Sequence, residues 1–184
     1  MVLGESLKGY NTHFKYFLNL DSVTKRHSYK VTRYSCKLAH ALGMKNEYIT
    51  HIYISALLHD IGKSKVPTSI LNKPQKLTTD EWHIIRQHPQ IGSDILNKLG
   101  LSTVANTIIS HHEHFDGRGY PFGLKGDEIP LPARIINIAD SFDAMIAKRP
   151  YRDRMSIQQA LQELIDCSGT QFDPKLVKIF VSLF

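Results

Sequence analysis

NEYITHIYISALLHDIGK, residues 46–63, decides how the rest of the chain is read. Ile49, Ile52, Tyr53, Ala56 and Leu57 fall at helical spacing, the pattern of a helix that buries one face. The stripe ends on His59-Asp60, so the helix delivers an imidazole and a carboxylate side by side. A second doublet, His111-His112, closes another helical stretch over 102–112. Single candidates of the same chemistry stand at His27, His88 and Asp140. Neighbouring helical residues point about 100° apart, so a doublet suits two ions better than one. An aspartate beside a histidine can also bridge two cations with its two oxygens. A nitrogen- and oxygen-only ligand set without cysteine suits a dinuclear iron, manganese or zinc centre that performs hydrolysis.

Outward from these doublets the helical period continues. Residues 22–42 carry Val31, Tyr34, Leu38 and Leu42 on one face, with His27 on the same side and Gly43 as the stop. Thr78 with Glu81 forms a capping box that opens the next helix, and Pro89 breaks or restarts it just after His88. DGRGYPFGLKGDEIPLP, residues 116–132, is too rich in glycine and proline for regular structure and forms the long loop. A helix from Pro132 to Ala147 places Asp140, Asp143, Ala144 and Ala147 together. Ser156 with Gln159 caps another helix, and Asp173-Pro174 starts the last. The fold expected is an all-α helical bundle in which the ligands arrive from four or five helices. Residues 1–20 form an N-terminal helical extension, and residues 21–184 form the domain itself.

Composition bounds the class. At 184 residues, 42% hydrophobic and 22% charged, the chain is an ordinary globular domain. No apolar run approaches the roughly 18 residues that span a bilayer, and no signal-peptide core is present at the start. Cys36 and Cys167 form no CxxC pair and read as reduced thiols, so the expected location is cytoplasmic. The net charge of +6 arises entirely in residues 1–65, where ten Lys and Arg face four Asp and Glu. Arg26, Lys30, Arg33 and Lys37 form a stripe, read either as a solvated face or as a surface for an anionic ligand. Duplex nucleic acid is not expected, because no recognition motif or aromatic interleaving accompanies the charge.

HDIGK at 59–63 resembles the signature of the HD metal-dependent phosphohydrolases. HHEHFDGRGYP at 111–121 resembles the extended motif of the HD-GYP subfamily, and the likeness runs on through ARIINIAD at 133–140, FDAM at 142–145, RPYR at 149–152 and GTQFDP at 169–174. The resemblance implies a phosphodiesterase that hydrolyses cyclic di-GMP to pGpG or onward to GMP. It implies metal ligation by His27, His59, Asp60, His88, His111, His112 and Asp140, with Asp60 as the bridge. His27, His59 and Asp140 would hold one metal, and His88, His111 and His112 the other. Iron or manganese is the expected pair, with zinc, cobalt or nickel as alternatives. Lys63 matches the lysine that reaches a substrate phosphate, and Arg149 and Arg152 match basic residues that contact the dinucleotide.

One departure stands out. Some members bind a third metal through a glutamate four residues before the first histidine, and here that position is Val23. The expectation is therefore two metals. Water bridging two such cations becomes hydroxide near neutral pH and attacks phosphorus, while Lys63 and the metals hold the oxygens on which charge builds. Tyr120 is read as a stacking partner for a base, a shaper of the mouth or a loop anchor. The alternative functions are a phosphodiesterase for another cyclic dinucleotide, or a non-enzymatic sensor or docking module. Diguanylate cyclase domains docking at the Gly-Tyr-Pro loop are a partner the resemblance brings in. A homodimer stays open, as does attachment to an upstream sensory domain.

Overall fold

The computed structural model describes residues 17, 20–147 and 154–184. Among them the regular structure is helical, as expected, with only two isolated bridges (Asp116 with Lys125, Ser168 with Phe172) in place of strands. Helix α1 (Ser22–Ala41) opens on Asp21, whose carboxylate accepts the N–H groups of Val23 at 2.8 Å and Thr24 at 2.9 Å. The chain leaves α1 through Gly43, whose φ of 68° favours a residue without a Cβ. Helix α2 (Asn46–Leu58) then folds back along α1. Its buried face is Ile52, Ser55, Ala56, Leu57 and Leu58. Tyr53, expected on that face, is 47% exposed, at the edge of the contact with α1 beside Cys36 and His40.

A 3-10 turn (Ile61–Lys65) and the single turn α3 (Thr68–Leu71) follow. Helix α4 (Thr79–Arg86) carries the expected capping box: Glu81 N–H donates to Thr78 Oγ1 and Thr78 N–H to Glu81 Oε2. Helix α5 (His88–Lys98) restarts at once with Pro89 in its first turn. Helix α6 (Ser102–Ile108) is shorter than the stretch to 112 expected for it. Beyond it the bonds tighten, with Ser110 N–H on Thr107 and His111 N–H on Ile108, so the second doublet sits on a turn. The long loop holds a 3-10 turn (Gly126–Glu128) and ends one residue early, where α7 (Leu131–Ile146) begins. Helices α8 (Ile157–Asp166) and α9 (Pro174–Val181) are capped by Ser156 and Asp173 as expected.

Two apolar clusters carry the bundle. One joins α1, α2, α7, α8 and α9 through Leu38, Ile52, Ile138, Phe142, Leu164 and Phe180. The other gathers Phe17, Leu20, Leu58, Ile61, Leu96 and Ile108 around α5 and α6. Each fully buried aliphatic or aromatic side chain contributes about 1.5–3 kcal/mol. Between them Val31, Ala56, Ile136 and Ala139 meet where α1, α2 and α7 cross. Val31, Ala56 and Ile136 each lie one helical turn from a candidate ligand (His27, His59 and Asp140), so this small contact brings three ligands together. No described helix is long and apolar enough to cross a membrane. Most of residues 1–20, including His13, falls outside the described residues.

Candidate metal centre

The seven candidate ligands converge from five places in the chain. His27 comes from α1, His59 and Asp60 from the end of α2, and His88 from the first turn of α5. His111 and His112 lie on the turn after α6, and Asp140 on α7. Their donor atoms form three overlapping groups: His88, His111 and His112; His27, His59 and Asp60; and His59, His111 and Asp140. Within each group the atoms lie within 4.8 Å of one another. His59, Asp60, His88 and His111 are buried.

Three of the imidazoles are locked the same way. His59 Nδ1 donates to the Ala56 carbonyl at 2.7 Å, His88 Nδ1 to the Ile85 carbonyl at 2.7 Å, and His111 Nδ1 to the Ile108 carbonyl. A carbonyl only accepts, so the proton sits on Nδ1 and the Nε2 lone pair points inward. Each acceptor is three residues back, near the end of the helix that precedes the histidine (α2, α4 and α6). His27 is held instead by a carboxylate, Asp143, with Nδ1 and Oδ2 2.7 Å apart. This is the carboxylate–histidine arrangement that orients metal ligands.

Burial sets the protonation states. It pushes His88 down to about 3 and His112 down to about 4, and holds His111 well below its usual value. These imidazoles are therefore neutral, the form that binds a cation. His27 goes the other way: burial opposes its charge, but hydrogen bonds to Asp140 and Asp143 lift it to about 10. Its Nε2 lies 2.8 Å from Asp140 Oδ1, hydrogen-bond distance for a protonated imidazole. Burial disfavours ionised Asp60 and Asp140, yet Lys63 beside the first and His27 beside the second hold both carboxyls well below the usual range.

The donor set fits divalent cations. His59 Nε2 and Asp60 Oδ1 are buried without a hydrogen-bond partner, an arrangement that is costly unless something fills it. Asp60 faces both sides of the centre: Oδ1 lies 3.3 Å from His88 Nε2, and Oδ2 lies 3.4 Å from His59 Nε2. That is the placement a bridging carboxylate needs. Lys63 Nζ sits 2.7 Å from the same Oδ2.

Glycines set these approaches. A Cβ on Gly62 would lie 2.0 Å from the His88 carbonyl oxygen, so the 3-10 turn rests directly on the start of α5. A Cβ on Gly119 would lie 2.2 Å from His114 N and 2.4 Å from Glu113 Cα. Gly119 therefore packs the loop against the ligand turn. Tyr120 follows, its ring stacked on His112 at 4.9 Å and 24°, with the Arg86 guanidinium 5.2 Å from the ring centroid. Gln171 and Thr170 carbonyls accept the N–H groups of Phe115 and Asp116, so the 169–174 segment pins the loop's start.

Sequence reasoning missed two supporting residues. Asp143 was legible only as a companion of Asp140 one turn on. Glu113, adjacent to the doublet, is buried and accepts the N–H groups of Phe122 at 2.7 Å and Leu124 at 3.1 Å, fastening the loop. Asp116 instead caps its own turn through Arg118 N–H at 3.0 Å. His51 bonds Thr107 at 2.9 Å, and His40 and His83 are exposed. Of the basic stripe, Arg26, Lys30, Arg33 and Lys37 are exposed, although Lys30 reaches Asp143 at 3.4 Å. Arg149 and Arg152 lie outside the described residues.

A family model described as HD domain matches residues 17–176. A cyclic di-GMP phosphodiesterase of Thermotoga maritima is 41% identical over 166 residues, covering 89% of this chain and 45% of the relative. A 3′3′-cGAMP-specific phosphodiesterase 2 of Vibrio cholerae is 44% identical over 161 residues, covering 86% and 31%. The crystal structure of a cyclic GMP-AMP specific phosphodiesterase of Vibrio cholerae, V-cGAP3, superposes with a TM-score of 0.68 at 26% identity, over 85% of this chain and 43% of that one. The chain spans less than half the length of each of these proteins.

Proposed function

This chain belongs to the HD domain family, and from that membership we propose that it is a metal-dependent phosphodiesterase hydrolysing cyclic di-GMP to pGpG or onward to GMP. The observation that carries the reading is the pair of buried, unpartnered donors, His59 Nε2 and Asp60 Oδ1, amid imidazoles whose Nδ1 protons are already committed. His27, His59 and Asp140 would hold one divalent ion and His88, His111 and His112 the other, with Asp60 between them. Iron or manganese suits this imidazole and carboxylate set. Such ions supply a nucleophilic water near neutral pH and offset the charge of the diester.

The chain's own residues do the rest. Asp143 fixes the His27 ring through Nδ1, and the three backbone carbonyls fix His59, His88 and His111. Lys63 neutralises Asp60 at 2.7 Å when no cation is bound. Once the carboxylate is engaged by cations, its ammonium is available to a non-bridging phosphate oxygen as charge builds there. Arg149 and Arg152 follow on the chain after Asp140 and offer further cationic groups to the dinucleotide. The Gly-Tyr-Pro loop, with Phe122 58% exposed beside it, is the surface for a cyclase partner.

A second substrate reading has its own support: relatives that act on 3′3′-cGAMP match as well as those that act on cyclic di-GMP. Anaerobic turnover of both dinucleotides by iron- or manganese-loaded protein, with products separated by chromatography, tests the two together. Appearance of linear product, lost in Asp60→Ala, is the expected result. Binding without turnover in metal-replete protein would turn the reading into that of a sensor.

A further inference from the structure

We infer that Arg86 is a substrate-positioning residue, presenting a guanidinium to the second phosphate of a cyclic dinucleotide from a platform made by Tyr120 and His112. The inference rests on the phosphodiesterase reading above and adds a contact that the motifs do not assign. Arg86 ends α4 and is exposed, so its charge remains available to a ligand. Among the described residues no carboxylate pairs with it, and Glu81, on the same helix, is committed to Lys73. What holds it is the Tyr120 ring, 5.2 Å from Cζ.

The platform leads to the metal centre. Tyr120 stacks on His112, and the His112 ring lies 5.1 Å from that of His88 and 4.0 Å from that of His111. The positive charge therefore stands at the rim of the ligand cluster, one ring out from it. A guanidinium over an aromatic face keeps its in-plane N–H groups free to donate. A phosphodiester engaged at the cations leaves a cyclic dinucleotide with a second anionic phosphate in need of a donor, and a fork of N–H groups matches its paired oxygens. Tyr120 thereby acts through Arg86 and His112 rather than on the reacting atoms.

The test is steady-state kinetics of metal-loaded Arg86→Ala, Arg86→Lys, Tyr120→Phe and Tyr120→Leu with cyclic di-GMP, 3′3′-cGAMP and cyclic di-AMP. Bis(p-nitrophenyl) phosphate, which has one phosphate, is the reference substrate, and metal content is measured alongside. Arg86→Ala is expected to raise KM about 10–100-fold for every dinucleotide the wild type hydrolyses, by one shared factor, with kcat and metal content retained. The small diester should not register the change. Arg86→Lys should recover part of the loss, and Tyr120→Phe, which keeps the ring, should lose less than Tyr120→Leu, which should follow Arg86→Ala. An unchanged KM in Arg86→Ala overturns the assignment, as does a loss confined to guanine-containing substrates, which would mark a base contact. A wild type that cleaves only the small diester overturns the substrate reading, and the assignment of Arg86 with it.

Discussion

His27 and Asp143, 116 residues apart in the chain, meet with Nδ1 and Oδ2 2.7 Å from one another. Asp143 is buried, its other oxygen faces Lys30 at 3.4 Å, and its bond to Nδ1 directs the imidazole's Nε2 toward Asp140. Removing such a partner typically costs a metal site about 10–100-fold in affinity. Asp143→Ala should lose metal to a chelator at correspondingly lower concentration while keeping its helical signal. Chelator competition identical to wild type would show that Asp143 does not orient His27.

Lys63 and Asp60 separate two functions that are adjacent in sequence. Asp60→Ala removes both bridging oxygens, so activity and metal content should fall together. Lys63→Ala removes a competitor for Asp60 Oδ2, 2.7 Å away, so metal should be retained or gained while turnover falls by about 100-fold or more. Metal analysis beside single-turnover rates distinguishes the two. Wild-type turnover in Lys63→Ala would remove its role at the phosphate.

The metal-free protein should show a two-sided pH dependence. His27 has a folded-state value raised to about 10 from 6.5, so its stabilisation is complete below about pH 6.5 and is lost as pH rises through 10. His88, lowered to about 3, and His112, lowered to about 4, have the opposite sign. Below their unfolded values near 6.5 the unfolded chain takes up protons that the folded one does not, and stability falls toward acid. Thermal melts from pH 4 to 10 should therefore peak near neutrality. At pH 8 metal binding should expel the His27 proton, read by calorimetry in buffers of different ionisation enthalpy. Buffer-independent heats would contradict a protonated His27.

Gly119→Ala tests the loop. Its Cβ would sit 2.2 Å from the backbone nitrogen of His114, which cannot yield as a side-chain tip can. Overpacking of this kind costs about 1–3 kcal/mol. In a chain of this size that lowers Tm by about 2–4 °C per kcal/mol. Tyr120 should leave His112 as the loop lifts, so turnover should fall as well. A melting point and rate equal to wild type would show that the loop relaxes freely.

Signals that act within a few residues were legible from sequence alone. The capping pairs Thr78 with Glu81 and Ser156 with Gln159, the Asp173 cap and the Gly43 stop each satisfy backbone groups at a helix end, and all four occur where expected. The helical stripes and ligand-type doublets were readable for the same reason: their chemistry and their spacing lie in one short window. The ends of helices were less so. The helix carrying the second doublet stops at Ile108, because the turn beyond it bends His111 and His112 toward the centre, and no local residue marks that bend.

What only the tertiary structure decided is which groups face one another across the bundle. The Asp143 bond to His27, the Lys63 contact that holds Asp60, the burial of Glu113 and the Arg86–Tyr120–His112 stack all depend on contacts between separate elements. Residue type and spacing determine what a side chain can do and which way it leaves its own helix. Distance, burial and protonation state arise only when α1, α2, α5, the turn after α6 and α7 close on one another. A second ring proton on His27 and its absence from His88 are properties of that enclosure, since the same imidazole is driven in opposite directions by a facing carboxylate and by burial.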